Sequence, residues 1–250
     1  MRHLHILLFA LLISSFAVGQ DQQLEALRKK IQSGEYVSAR QELSKIISGN
    51  PKNKLALNLR GLARAGAEDL YGAIADFTFA LEIDSTYAEA LNNRGLAKMD
   101  LGDDEGAIED FNKAIRFNPK YAEAYTNRGL ANYNVEDLQA AYFDFTKALE
   151  LGPADADKYF NRGVAKAELG EFISAIDDYN KALELDKNDA SLYNYRGVAH
   201  YSAGNIDKAI ADYDKAITLD PNDPLKYENR ALAKSAKENL QGALADYDKA

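Results

Sequence analysis

Three residue types recur at a spacing that could carry chemistry. Arginine stands at Arg60, Arg94, Arg128, Arg162, Arg196 and Arg230, each 34 residues from the next. An aspartate follows each by 16 residues: Asp76, Asp110, Asp144, Asp178, Asp212 and Asp246. A run of asparagines precedes the arginines, with Asn93, Asn127, Asn161 and Asn229 next to them and Asn58, Asn92 and Asn194 one residue earlier. Guanidinium and carboxylate in fixed ratio read as ion pairs, because a partly buried charge needs a partner. The pairs Arg94–Asp110, Arg128–Asp144 and Arg162–Asp178 are expected to form within or between repeats. The alternative is a row of arginines holding an acidic ligand. An amide offers both a donor and an acceptor, and asparagine is a mediocre helix former. Its repetition therefore points to use of the amide, either on an extended peptide backbone or on a neighbouring helix.

Catalysis and metal binding find little material. There is no cysteine, so disulfides, thiolate metal sites, a cysteine nucleophile and a lipid-modified cysteine are excluded. Beyond residue 19 the one histidine is His200, in a column otherwise filled by Arg64, Lys98, Asn132, Lys166 and Lys234. A surface or ion-pairing role suits it better than general-base work, and a lone histidine makes no metal site. The carboxylates recur with the period, so no acid–base couple stands out. The glycines are isolated, so no phosphate-cradling loop is formed. We expect no enzyme, no cofactor and no metal. A net charge of −9 argues against nucleic acid.

The elements that position these columns follow from the period. A repeat in the range of about 20–50 residues signals a stacked array. Units fall at 20–53, 54–87, 88–121, 122–155, 156–189 and 190–223, with a partial unit at 224–250. Each reads as two helices. Phe172, Ala175, Ile176, Tyr179, Ala182 and Leu183 form one apolar face at helical spacing. Glu35, Asp69, Asp103, Asp137 and Glu171 open the second helices, where the helix dipole favours negative charge. Pro51, Pro119, Pro153 and Pro221 stop them, and Ser85 and Lys187 in their place predict less sharply cut junctions. A glycine column (Gly61, Gly95, Gly129, Gly163, Gly197) stands level with an alanine column (Ala39 to Ala243), which predicts close approach of the paired backbones.

These columns resemble those of tetratricopeptide (TPR) repeats, over residues 20–250. Two departures stand out: Leu or Tyr where the family often has Trp, and Arg where it often has Leu before the glycine. The resemblance implies an all-α, right-handed solenoid of helix-turn-helix pairs. It also implies a concave face of first helices on which Asn92, Asn93, Asn127, Asn161, Asn194 and Asn229 grip an extended peptide. Helical spacing from these rows adds Leu96, Met99, Leu130, Phe160, Val164 and Val198, with Tyr133 and Tyr201 as the better groove candidates for their polar tips. The family's basic clamp for a C-terminal carboxylate finds Asn92, Thr126, Phe160 and Asn194 where it needs cations. The expected function is a protein or peptide scaffold. The alternatives are the targeting module of a longer enzyme and a glycan- or peptidoglycan-binding array.

The N-terminus sets the expected compartment. Arg2, the apolar run Ile6–Ile13 and the small residues Ala17-Val18-Gly19 form a secretory signal peptide over 1–19. The run is too short to span a bilayer. We expect a periplasmic or secreted protein with no integral membrane segment after cleavage. The first unit keeps Leu24, Leu27 and Ile31 as an apolar face and is expected to cap the stack. The last stops at Ala250 within its second helix, which suggests a longer array; Leu240, Leu244 and Tyr247 are assigned to its inward face.

Overall fold

The computed structural model describes residues 22–250, in which every regular element is a helix. The signal-peptide segment lies outside the described residues. Contacts divide the chain into two compact units, with the boundary in the sequence between Pro119 and Lys120. The first holds α1 (22–32), α2 (Tyr36–Gly49), α3 (Lys54–Gly66), α4 (Leu70–Ile83), α5 (Ala88–Asp100) and α6 (Asp104–Phe117). The second holds α7 (Ala122–Asn134), α8 (Leu138–Leu151), α9 (Ala156–Glu168), α10 (Phe172–Leu185), α11 (Ala190–Ser202), α12 (Ile206–Leu219), α13 (Pro224–Ala236) and α14 (Leu240–Tyr247). Odd-numbered helices pair with the even-numbered ones that follow them. The fold class is an all-α solenoid of helical hairpins.

Local chemistry sets where each helix starts and stops. One residue of every hairpin turn is left-handed: Gly34, Gly102, Gly170 and Gly204, but also Glu68, Glu136 and Glu238, with φ of +61° to +63° in the glutamates. Second helices begin behind a capping side chain at Asp69, Asp103, Asp137 and Asn239, each accepting a backbone N–H in the first turn. Glu35, Glu171 and Asn205 occupy the same position without capping. Proline is not required to end these helices. Those before Ser85 and Lys187 stop in the same register, at Ile83 and Leu185. There Asp84 and Asp186 accept the backbone N–H two residues on, in an Asx turn that supplies the break.

The glycine column has a different partner from the one its spacing suggests. A methyl group built on Gly61, Gly95, Gly129, Gly163 or Gly197 would meet the ring of Phe77, Phe111, Phe145, Tyr179 or Tyr213. These rings are buried to within 2% of completely. The close approach is therefore ring edge against helix backbone, and the alanines pack beside it. In the last hairpin Ala231 takes the glycine's place, and its ring, Tyr247, is 45% exposed. Leu240 and Leu244 are exposed too, so this face points outward; Ala243 and Asp246 are what α14 buries. At the other end Leu24 and Leu27 pack with Ala39, Leu43, Ala56 and Leu59, so α1 shares a core with α2 and α3.

Within the second unit α9 packs on both α7 and α11, and α11 on α13, while no two of α8, α10, α12 and α14 bring Cα atoms within 8 Å of each other. The first helices are thus the more closely spaced layer, and a stack curves toward its tighter layer. They line the inner face of this unit.

Gly129→Ala tests the ring contact. The new methyl would stand 2.8 Å from Phe145. Overpacking of this kind costs about 1–3 kcal/mol, against about 1 kcal/mol gained in helix propensity. We expect a lower denaturant midpoint, recovered when Phe145→Leu is added. A rise in the single variant would show that the ring gives way without strain.

Candidate functional site

The arginine column is built into the hairpins. Arg94 donates from Nε to Asp110 Oδ2 at 2.8 Å and from Nη2 to Oδ1 at 2.6 Å. Arg60–Asp76, Arg128–Asp144, Arg162–Asp178, Arg196–Asp212 and Arg230–Asp246 repeat this fork. The aspartates are buried, Asp110, Asp144 and Asp178 to 1% exposure. A second group reaches the same carboxylate from one helical turn on: Arg64, Lys98, Asn132, Lys166 and Lys234, at 2.7–3.1 Å. Burial alone would raise the Asp110 and Asp178 carboxyls. The hydrogen bonds from Arg94 and Lys98, and from Arg162 and Lys166, outweigh it and hold both below 3.8.

The guanidinium also bonds backward. Nη1 of Arg60, Arg94, Arg196 and Arg230 donates to Ser44, Thr78, Asn180 and Asp214, each 16 residues earlier on the preceding second helix. One side chain therefore joins its own hairpin and ties it to the one before. Arg162 lacks this bond, and the buried Thr146 hydroxyl opposite it has no partner.

Of the surface and ion-pairing roles its column suggests, His200 does not take the first. It is buried, with Nε2 4.0 Å from Asp212 and Nδ1 unpartnered. Burial pushes the imidazole below its ordinary 6.5, with Arg196 and Lys208 adding to the effect and Asp212 opposing it. Asp212 thus has one full cation where Asp110 and Asp178 have two.

The asparagines divide. Asn93 Nδ2 donates to Asn58 Oδ1, and Asn229 Nδ2 to Asn194 Oδ1, both at 3.0 Å and across successive hairpins. Asn58, Asn92 and Asn194 are buried. At these two steps the amides hold neighbouring first helices together, one of the two uses that sequence left open. Asn127 is half-buried and also engaged. Asn161 is half-buried and forms no hydrogen bond among the described residues, because Thr126 stands where its amide partner would be.

Apolar and aromatic groups cover the rest of the inner face of the second unit. Phe160 meets Tyr195 edge-on at 4.9 Å between ring centroids. Tyr195, Val198, Tyr201 and Leu232 are exposed, and Tyr133 is half-buried, its hydroxyl donating to Glu168 at 3.4 Å. Tyr195 and Leu232 were not among the residues singled out from spacing. The signal for Tyr195 was its place in the Asn161 column. Glu123, Asp157, Glu168 and Glu228 are exposed on the same helix faces, at intervals of four or seven residues from Leu130, Val164 and Leu232. The cations of these helices are occupied elsewhere: Lys166 and Lys234 on Asp178 and Asp246, and Lys158 and Lys226 on carboxylates at the preceding turns. In the first unit Leu96 and Met99 are half-buried. Among the described residues no group of three His, Asp or Glu could hold a metal, and no helix is long and apolar enough to cross a membrane.

Stacked hairpins with a layer of first helices define a helical-repeat protein, a class that binds through extended concave surfaces. Comparison with known families is more specific. The TPR repeat profile matches residues 95–135 and 165–204, and tetratricopeptide repeat profiles match 122–155 and 190–223. The chain is a tetratricopeptide repeat protein. Among solved structures it is similar to MamA, at 29% identity and TM-score 0.61 over 64% of this chain and 94% of that one. It is similar in fold to YrrB, described as a TPR protein with an unusual peptide-binding site, at 24% identity and TM-score 0.67 over 78% and 97%. A tetratricopeptide repeat protein from Parabacteroides merdae shows 24% identity and TM-score 0.66 over 92% and 91%. No curated protein matches the chain.

Two substitutions probe the polar interior. Asp110→Ala leaves Arg94 and Lys98 without their acid, and we expect a loss of about 3 kcal/mol in chemical denaturation. An unchanged midpoint would show that the pair contributes no stability. His200 is neutral in the fold below the pH at which it charges when unfolded, so protonation costs the folded state. Its contribution is present above pH 6.5 and is lost as pH falls through the lowered folded value. His200→Lys should therefore flatten the fall in melting temperature below pH 6.5; an unaltered slope would assign that dependence to other groups.

Proposed function

We propose that this chain is an exported, non-catalytic interaction module. It holds an extended, basic and apolar segment of a partner protein on the inner face of its second unit. One observation carries the reading: an exposed strip of Tyr195, Val198, Tyr201 and Leu232, bordered by free carboxylates, on a surface whose own cations are paired. Aromatic and aliphatic groups supply contact area and pockets for alternate side chains. The carboxylates at Glu123, Asp157 and Glu228 favour Lys or Arg in the segment and repel acidic ones. Asn161 is the amide available to the peptide backbone. Asn93 and Asn229 already spend one donor each on their neighbours. The peptide-binding site named for YrrB, a protein of the same fold, supports a peptide as the ligand class. Export rests on Arg2, the apolar run and the small residues before Gln20.

Synthetic peptides that alternate Lys with Leu or Tyr test this site against Glu-for-Lys counterparts. We expect the basic set to bind and to weaken with salt, as exposed charges are screened. Val198→Glu with Tyr201→Ala should lower affinity about tenfold or more, as loss of central contacts does. Asn161→Ala should weaken binding at unchanged stability, whereas Asn93→Ala should cost stability of about 1 kcal/mol. Equal binding of acidic and basic peptides, or indifference to the groove variants, would reject the reading. An N-terminus at Gln20 in material recovered outside the cytoplasm would establish export.

A further inference from the structure

In the second unit a tyrosine on each of three first helices lies against two cations. Tyr159 has Arg162 at 5.8 Å and Lys181 at 5.4 Å from its ring centroid. Tyr193 has Arg196 at 5.5 Å and Lys215 at 6.0 Å. Tyr227 has Arg230 at 5.6 Å and Lys249 at 5.8 Å. The arginine lies 3 residues after the tyrosine and the lysine 22 after. Cations are drawn to the electron-rich ring face. Tyr193 and Tyr227 also donate their hydroxyls to the carbonyl 6 residues earlier, of Lys187 and Pro221.

The same intervals in the hairpin of α5 and α6 give Leu91, Arg94, Lys113 and Ser85. The two cations are kept and the ring is missing. A cavity of about 320 Å³ opens there, with Leu81, Leu91 and Phe117 as its apolar wall. Arg94, Lys113, Arg116 and Ser85 form the rest of its lining. Arg94 is held by Asp110 and Thr78. Lys113 makes no ion pair, hydrogen bond or ring contact among the described residues, and Arg116 touches only the Phe117 ring, at 5.2 Å. Two exposed cations that form no ion pair among the described residues border an apolar hollow, in a chain whose net charge is −9.

We propose that this cavity binds a small aromatic carboxylate. The ring takes the place that Tyr159, Tyr193 and Tyr227 fill in their hairpins, against Arg94 and Lys113, and the carboxylate is neutralised by Lys113 and Arg116. The volume sits at the lower end of the range for ligand pockets, about 300–1,000 Å³, which suits one ring with a short acid arm. Shape supplies the preference for a ring, and the free cations supply the preference for an anion. The C-terminal aromatic residue of a peptide carries the same chemistry on a different source.

Titration calorimetry with 3-phenylpropionate tests the site, with propionate as the ringless control. Saturable binding of the aromatic acid and none of propionate is expected. Leu91→Tyr fills the hollow with the repeat's own ring, whose hydroxyl would meet the Ser85 carbonyl, and should abolish binding while keeping or raising the melting temperature. Lys113→Gln, at an exposed position that leaves the fold intact, should weaken binding about tenfold, the loss of one charge-assisted contact. No binding by the unaltered protein, equal binding of propionate, or full binding by both variants would overturn the proposal. A peptide ending in Phe with a free carboxylate distinguishes the sources. Tighter binding than phenylpropionate supports a partner's chain end as the occupant, and weaker binding supports a free small molecule.

Discussion

A guanidinium fork shared by three helices is the contact on which the stack depends. A buried aspartate cannot be left alone in a medium of low dielectric. Each therefore requires its arginine, and the planar fork meets it with two parallel bonds. The remaining nitrogen is free to reach the preceding hairpin, as it does from Arg60, Arg94, Arg196 and Arg230. A lysine could not do both, having one nitrogen and no fixed plane. Apolar burial supplies most of the attraction between helices, but it has no direction. The arginine adds direction, since sliding one hairpin along the next would break its bond to the preceding second helix.

Close packing of the first helices follows from what surrounds that fork. The glycine after every arginine but Arg230 lets the Phe or Tyr ring of the second helix lie against bare backbone. The asparagine pairs then join first helix to first helix at Asn58–Asn93 and Asn194–Asn229. Together they draw the first helices of each unit into one layer and leave the second helices apart. An inner surface is a consequence of this inequality, and so is its chemistry. The cations of α9 and α13 turn to buried or turn-borne acids, so carboxylates and apolar groups are what the surface presents.

Repetition also makes the exceptions readable. His200 in a column of cations leaves Asp212 less well neutralised than its counterparts. Leu91, where the four later hairpins have tyrosine, leaves two cations facing a hollow. Thr126 in place of asparagine frees Asn161. None of these residues is unusual by type. Each gains meaning because the same position in a neighbouring hairpin shows what it displaced.

The all-α class and the hairpin form were legible in the 34-residue period, because helix stops and starts are local events. The pairing of Arg with Asp was legible too, since opposite charges repeated at one constant interval can neutralise each other at every turn of the stack. Spacing alone determined which residues lie at one level of a hairpin. It did not determine which of them touch. Whether Gly163 meets Ala175 or the Tyr179 ring, and whether Asn93 meets a ligand or Asn58, depends on the rotation of each helix about its axis. That rotation is set by side-chain packing among three helices at once, which only the tertiary structure decides.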